Sequence, residues 1–203
     1  AHFSVGDPGR FVIDPLLSVD PALQPVIDFD ATLAYRRHLW SLGLHVAEAM
    51  DTAQRGMGLG WALARTLIER SCAEASAVGG GIACGANTDQ MTPGGEPSLD
   101  DVIRAYEEQC EVIEAAGGQV ILMASRVLAR TAKSPDDYRA VYGRLLSQLK
   151  RPAILHWLGE AFDPALRGYW GGRDVAQCME VCLDIIRENQ RAVDGVKISL
   201  LDD

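Results

Sequence analysis

Lys197 is the residue from which a chemistry can first be read. It stands in Val196-Lys197-Ile198-Ser199-Leu200, where apolar and polar positions alternate. In an extended strand that alternation sends Val196, Ile198 and Leu200 to one face and Lys197 and Ser199 to the other. A lysine on the inner face of a sheet cannot easily reach water. Desolvation then disfavours its ammonium form and is expected to lower its pKa below the ~10.4 of a free lysine. The neutral amine attacks a carbonyl, and the resulting iminium is an electron sink for making or breaking the adjacent C–C bond. The same position equally suits a lysine paired with an inward carboxylate such as Glu48, and from the residues alone both readings stand.

Other polar residues fall at comparable places. His156 ends Ala153-Ile154-Leu155-His156-Trp157, where it could be a general acid/base, a metal ligand or a hydrogen-bonded core residue. Ser125-Arg126 is suited to gripping a carboxylate, because a guanidinium forks onto it with two hydrogen bonds. Glu48, Asp51, Thr52, Asn87 and Ser199 complete the substrate-binding candidates. Glu48, Asp89 and His156 could alternatively hold a divalent metal. Arg36-Arg37-His38 reads most economically as a solvated helix face, and Trp40 and Trp61 as packing residues.

These residues need elements to position them. Short apolar runs at 11–13, 44–49, 81–85, 119–123, 152–157 and 195–200 read as strands, and the amphipathic stretches 30–42, 59–78, 98–116, 135–150 and 173–190 as helices. Ser98 before Leu99-Asp100-Asp101, and Ser134-Pro135-Asp136-Asp137, are helix starts. Gly43, Gly79 to Gly81 and Gly117-Gly118 close helices before strands. From the second strand on, strands begin roughly 33–43 residues apart with one helix between, which implies a parallel α/β sheet with right-handed crossovers. No G-x-G-x-x-G follows the first strand, so a dinucleotide-binding open sheet loses its main support. The expectation is a (β/α)8 TIM barrel, present as strands one to six in a single domain over 1–203, with two βα units still to come. In that fold function gathers at the C-terminal ends of the strands, where all the candidates above lie. The His-x-His pair with which many metal-dependent barrel hydrolases end their first strand is absent.

Composition narrows the partners. A net charge of −9 with no basic run argues against nucleic acid and anionic membranes. The longest apolar runs are far short of the roughly 20 residues a membrane span needs, and the first ten residues hold no secretory apolar segment. The odd set Cys72, Cys84, Cys110, Cys178 and Cys182 has no Cys-x-x-Cys pair and reads as buried thiols of a cytoplasmic protein. A small-molecule carbonyl substrate and no cofactor are expected.

Several longer runs resemble a known family. They are Phe29-Asp30-Ala31-Thr32-Leu33, the stretch from His45 through Glu48 to Gly58, Ile154-Leu155-His156-Trp157-Leu158-Gly159, Phe162-Asp163-Pro164 through Gly168-Tyr169-Trp170-Gly171, and Val193 through Lys197 to Asp202. Nearly the whole chain looks like a bacterial dihydrodipicolinate-synthase-like family of uncharacterised proteins. It is similar, more distantly, to the superfamily of dihydrodipicolinate synthase and N-acetylneuraminate lyase. There the sixth strand reads like Gly-Ile-Lys, and Gly195-Val196-Lys197 matches it. The resemblance implies a Schiff-base lyase or aldolase of class I type acting on a 2-oxo acid or aldehyde, and a homo-oligomer. Two departures limit the transfer. Ala49-Met50-Asp51-Thr52-Ala53 replaces the superfamily's Gly-Thr-Thr-Gly-Glu loop, and Met123-Ala124-Ser125-Arg126 lacks its relay tyrosine. The pyruvate-type subsite and tyrosine relay therefore do not carry over, which leaves His156 or Tyr169 to move protons. The metal-dependent enzyme and a non-catalytic binding protein on a degenerate barrel remain the competing readings.

Overall fold

The computed structural model describes residues 27–50, 55, 58–91 and 94–200. The expected strand at 11–13 and the candidates Asp51 and Thr52 lie outside the described residues. In chain order the elements are α1 (Phe29–Ser41), β1 (Val46–Glu48), α2 (Trp61–Val78), β2 (Ile82–Ala86), α3 (Leu99–Ala115), β3 (Gln119–Leu122), α4 (Arg126–Thr131), α5 (Pro135–Leu146), β4 (Ala153–Leu158), a 3-10 turn (Pro164–Leu166), α6 (Val175–Glu188) and β5 (Val193–Ser199). Strand order follows chain order, β1-β2-β3-β4-β5. The registers of β1 with β2, β3 with β4 and β4 with β5 are parallel. This is the parallel, helix-alternating arrangement of a partial TIM-barrel-like fold.

The chain divides into two compact units, one of residues 1–85 and 112–119, the other of residues 86–111 and 120–203. In the first, Leu39, Trp40, Val46 and Ala75 form a core with Leu44 and Ile82 packed on it. Gly79 closes α2 at φ 69°, a left-handed position that glycine takes without steric cost. Gly80 follows because the Trp40 ring lies where a Cβ would stand, 2.5 Å from it. Trp40 Nε1 donates to the Gly81 carbonyl at 2.9 Å. One expectation is overturned here. Arg36 is fully buried, and only Arg37 and His38 of that run are exposed. Its guanidinium grips Glu48 with Nε and Nη2 at 2.8 and 2.9 Å. Periodicity alone could not show this, since a helix face lined by a buried carboxylate reads like one lined by water.

In the second unit every residue of β4 is buried, as a parallel strand covered on both faces requires. Helix α6 packs through Cys178, Val181, Cys182 and Ile185, an i, i+3, i+4, i+7 stripe, and Asp174 caps it by accepting from Gln177 N–H at 2.8 Å. Asp137 accepts from Ser134 N–H at 3.0 Å at the start of α5, and Ser98 and Asp101 bond reciprocally ahead of α3. Helix α4 was not expected. Ser125 starts it by accepting from Val127 and Leu128 N–H, a cap hidden by the brevity of the helix. The apolar face of β5 is not sealed, for Ile198 is 61% exposed.

Candidate functional site

The parallel register of β4 and β5 sets His156 directly beside Lys197 and Leu158 beside Ser199. Partners in a parallel ladder point to the same face, so His156, Lys197 and Ser199 converge while Ile198 turns away. Lys197 Nζ lies 3.2 Å from His156 Nε2 and donates to Ser199 Oγ at 3.0 Å. Ser199 Oγ is 3.5 Å from His156 Nε2. Lys197 and Ser199 are half-buried and His156 is buried. Burial, reinforced by the charge of Lys197, holds the His156 pKa down at about 3. The imidazole is therefore neutral at working pH. It accepts from an ammonium in one tautomer and donates to a neutral amine in the other. His156 Nδ1 is buried and has no hydrogen-bond partner among the described residues.

The remaining candidates are distributed as follows. Ser125 is buried at the end of β3, with Oγ 2.6 Å from Thr88 Oγ1. That contact and the two amides it caps leave its hydroxyl fully engaged. Arg126 donates through Nε to Asp163, whose other oxygen accepts from Ala165 N–H at 3.1 Å, so the pair latches the segment after β4. Asn87 Oδ1 accepts from Thr88 N–H at 2.8 Å, and Asn87 N–H donates to Gln109 Oε1 at 2.8 Å. Asp89 accepts from Gln109 Nε2 at 3.0 Å. Glu48, in the other unit, binds Arg36 through both oxygens and accepts from Ser71 Oγ at 2.8 Å. Among the described residues no group of three or more His, Cys, Asp or Glu is arranged to hold a metal ion.

Sequence reading missed a buried phenol cluster beside Ser125. Tyr169 OH accepts from Ser125 N–H at 3.3 Å and lies 2.9 Å from Tyr142 OH. Tyr106 OH donates to the Met123 carbonyl. Burial raises the pKa of all three, so they persist as neutral phenols that can both donate and accept. Tyr106 and Tyr142 sit at apolar positions of α3 and α5, where a tyrosine looks like any packing residue. The signal that could have found them is a tyrosine where the helical stripe calls for an aliphatic residue, since a buried phenol needs a partner.

A model of a family described as a protein of unknown function (DUF993) matches residues 8–203. No curated protein sequence matches. Among solved structures the chain is similar to dihydrodipicolinate synthase from Oceanobacillus iheyensis, at 12% identity and a TM-score of 0.52, covering 85% of this chain and 61% of that one. It also matches 3-keto-D-glucoside 4-epimerase from E. coli at 17% identity and a TM-score of 0.43, covering 85% and 64%. The chain thus spans about three fifths of the length of these structures, and the first likeness speaks for the fold. Among the described residues no helix is long and apolar enough to cross a membrane.

Proposed function

We propose, for a chain that belongs to the DUF993 family of proteins of unknown function, an enzyme that forms a Schiff base through Lys197 and makes or breaks a C–C bond beside the carbonyl of a 2-oxo acid or aldehyde. The observation that carries this reading is the Lys197–His156–Ser199 constellation, with a neutral imidazole 3.2 Å from the amine. The likeness in fold to dihydrodipicolinate synthase is consistent with it; a function cannot be taken from a fold alone.

The chemistry follows from the three groups. Lys197 as the free amine adds to the substrate carbonyl carbon and gives a carbinolamine. Addition leaves the nitrogen cationic and the oxygen anionic, and His156, a neutral imidazole beside Nζ, takes the proton from nitrogen and passes it to that oxygen. Ser199 Oγ, in hydrogen-bond reach of Nζ, orients the hydroxyl, which takes a proton from solvent and leaves as water while the nitrogen lone pair forms the iminium. The iminium then accepts the electron pair of the adjacent bond, and hydrolysis restores the amine. No metal is required by these steps. Self-association of the chain belongs to the same proposal.

The test is borohydride reduction of the full chain in the presence of a panel of 2-oxo acids and aldehydes, followed by peptide mass spectrometry. A reduced adduct on Lys197 is expected, and none in Lys197→Arg, which keeps the charge but not the nucleophile. An adduct-free Lys197 across the panel, with the chain folded, would overturn the proposal.

A further inference from the structure

We propose that Cys72 and Cys84 form a redox site, in which hydrogen peroxide converts the two thiols to a disulfide that ties α2 to β2. Cys72 lies in α2 and Cys84 in the middle of β2, with 2% and 0% of their surface exposed and their sulfurs 3.7 Å apart. That separation is sulfur–sulfur contact, and a disulfide of about 2.0 Å requires the two Sγ atoms to close the remaining gap by side-chain rotation. Gly118 lies against both sulfurs. A Cβ there would stand 3.1 Å from Cys72 Sγ and 3.2 Å from Cys84 Sγ, tighter than ordinary contact, so the sulfur pair is accommodated because this position carries no side chain. Cys178 and Cys182, by contrast, lie one turn apart on α6, where the helix backbone holds the Cβ atoms in an arrangement poorly suited to a disulfide.

The reaction balances as two thiols and one peroxide giving one disulfide and two waters. One sulfur, on losing its proton, attacks a peroxide oxygen; the O–O bond breaks, leaving a sulfenic acid and the first water. The second sulfur attacks the sulfenic sulfur, and the S–O bond breaks to release the second water. The sulfurs are oxidised and the peroxide is reduced. The consequence is local and specific, because the residue before Cys72 is Ser71, whose hydroxyl holds the Glu48 carboxylate at 2.8 Å. The disulfide would fasten that turn of α2 to the strand paired with β1.

The experiment treats the native full chain with increasing hydrogen peroxide, blocks remaining thiols with iodoacetamide after denaturation, and digests without reductant. The expected product is a Cys72–Cys84 cross-linked peptide, two hydrogens lighter than the sum of its reduced halves and abolished by dithiothreitol. In Cys84→Ser that product is lost and Cys72 is recovered alkylated or singly oxidised. The proposal is overturned if Cys72 and Cys84 are both recovered alkylated at a dose that oxidises Cys110, Cys178 and Cys182. It is overturned equally if both carry added oxygen without a cross-link.

Discussion

Glu48 and His156 are both polar residues buried in strands, yet they are held for opposite purposes. Glu48 is a carboxylate whose cost of burial is offset by a two-pronged arginine and a serine hydroxyl. Removing one partner of such a pair strands the other charge in the interior. Glu48→Ala should therefore lose about 3–5 kcal/mol of stability, whereas the paired change Arg36→Met with Glu48→Leu should lose much less. Urea unfolding of the wild type and these two variants checks this. His156 is a base kept neutral, and its pKa carries a stability signature. The folded value of about 3 lies below the ordinary 6.5, so the unfolded chain binds the extra proton. The stability that depends on His156 is fully present above pH 6.5, drains away as pH falls and is exhausted near pH 3. Unfolding free energies of wild type and His156→Gln, followed through that window, should converge toward the acid end. Parallel curves would contradict the assignment.

At the scale of elements, most of what positions the candidate site is ordinary capping and packing, and its contributions can be measured one at a time. Asp174 caps the helix that leads into β5, and Asp174→Ala should cost about 1 kcal/mol in a denaturant titration. Tyr169 has a larger task. Its hydroxyl joins the segment after β4 to the end of β3 through Ser125 N–H, and to α5 through Tyr142. Tyr169→Phe leaves that amide and phenol buried without their partner, and should destabilise by about 1–3 kcal/mol in thermal or urea unfolding. The elements themselves were largely legible. The expected strands at 44–49, 81–85, 119–123, 152–157 and 195–200 coincide with β1 to β5 within a few residues, because their apolar runs are short, β-rich and bounded by glycine. Helix α5 stops at Leu146 rather than at 150, and α4 escaped notice, since one and a half turns show no periodicity.

At the scale of the whole chain, the covering of the strands is uneven. Leu155 in β4 is fully buried, while Ile198 in β5 is 61% exposed. Leu155→Ala should therefore cost about 2–5 kcal/mol, as core truncations do. Ile198→Thr should stay within about 0.5 kcal/mol, as surface changes do. Equal losses at the two positions, read from urea midpoints, would show that this face of β5 is covered in solution.

The sequence by itself determined the alternation of strand and helix, the parallel class of the sheet and the parity of β5, because those depend on patterns between neighbouring residues. From that parity Lys197 and Ser199 were already bound to share a face. Only the tertiary structure decided which side chains meet across elements: His156 beside Lys197, Arg36 on Glu48, Arg126 on Asp163, and three phenols gathered near Ser125. The physical reason is that a register or a crossing between elements distant in the chain leaves no periodic mark. A polar residue that will be buried against one particular partner has the same local pattern as one that will face water.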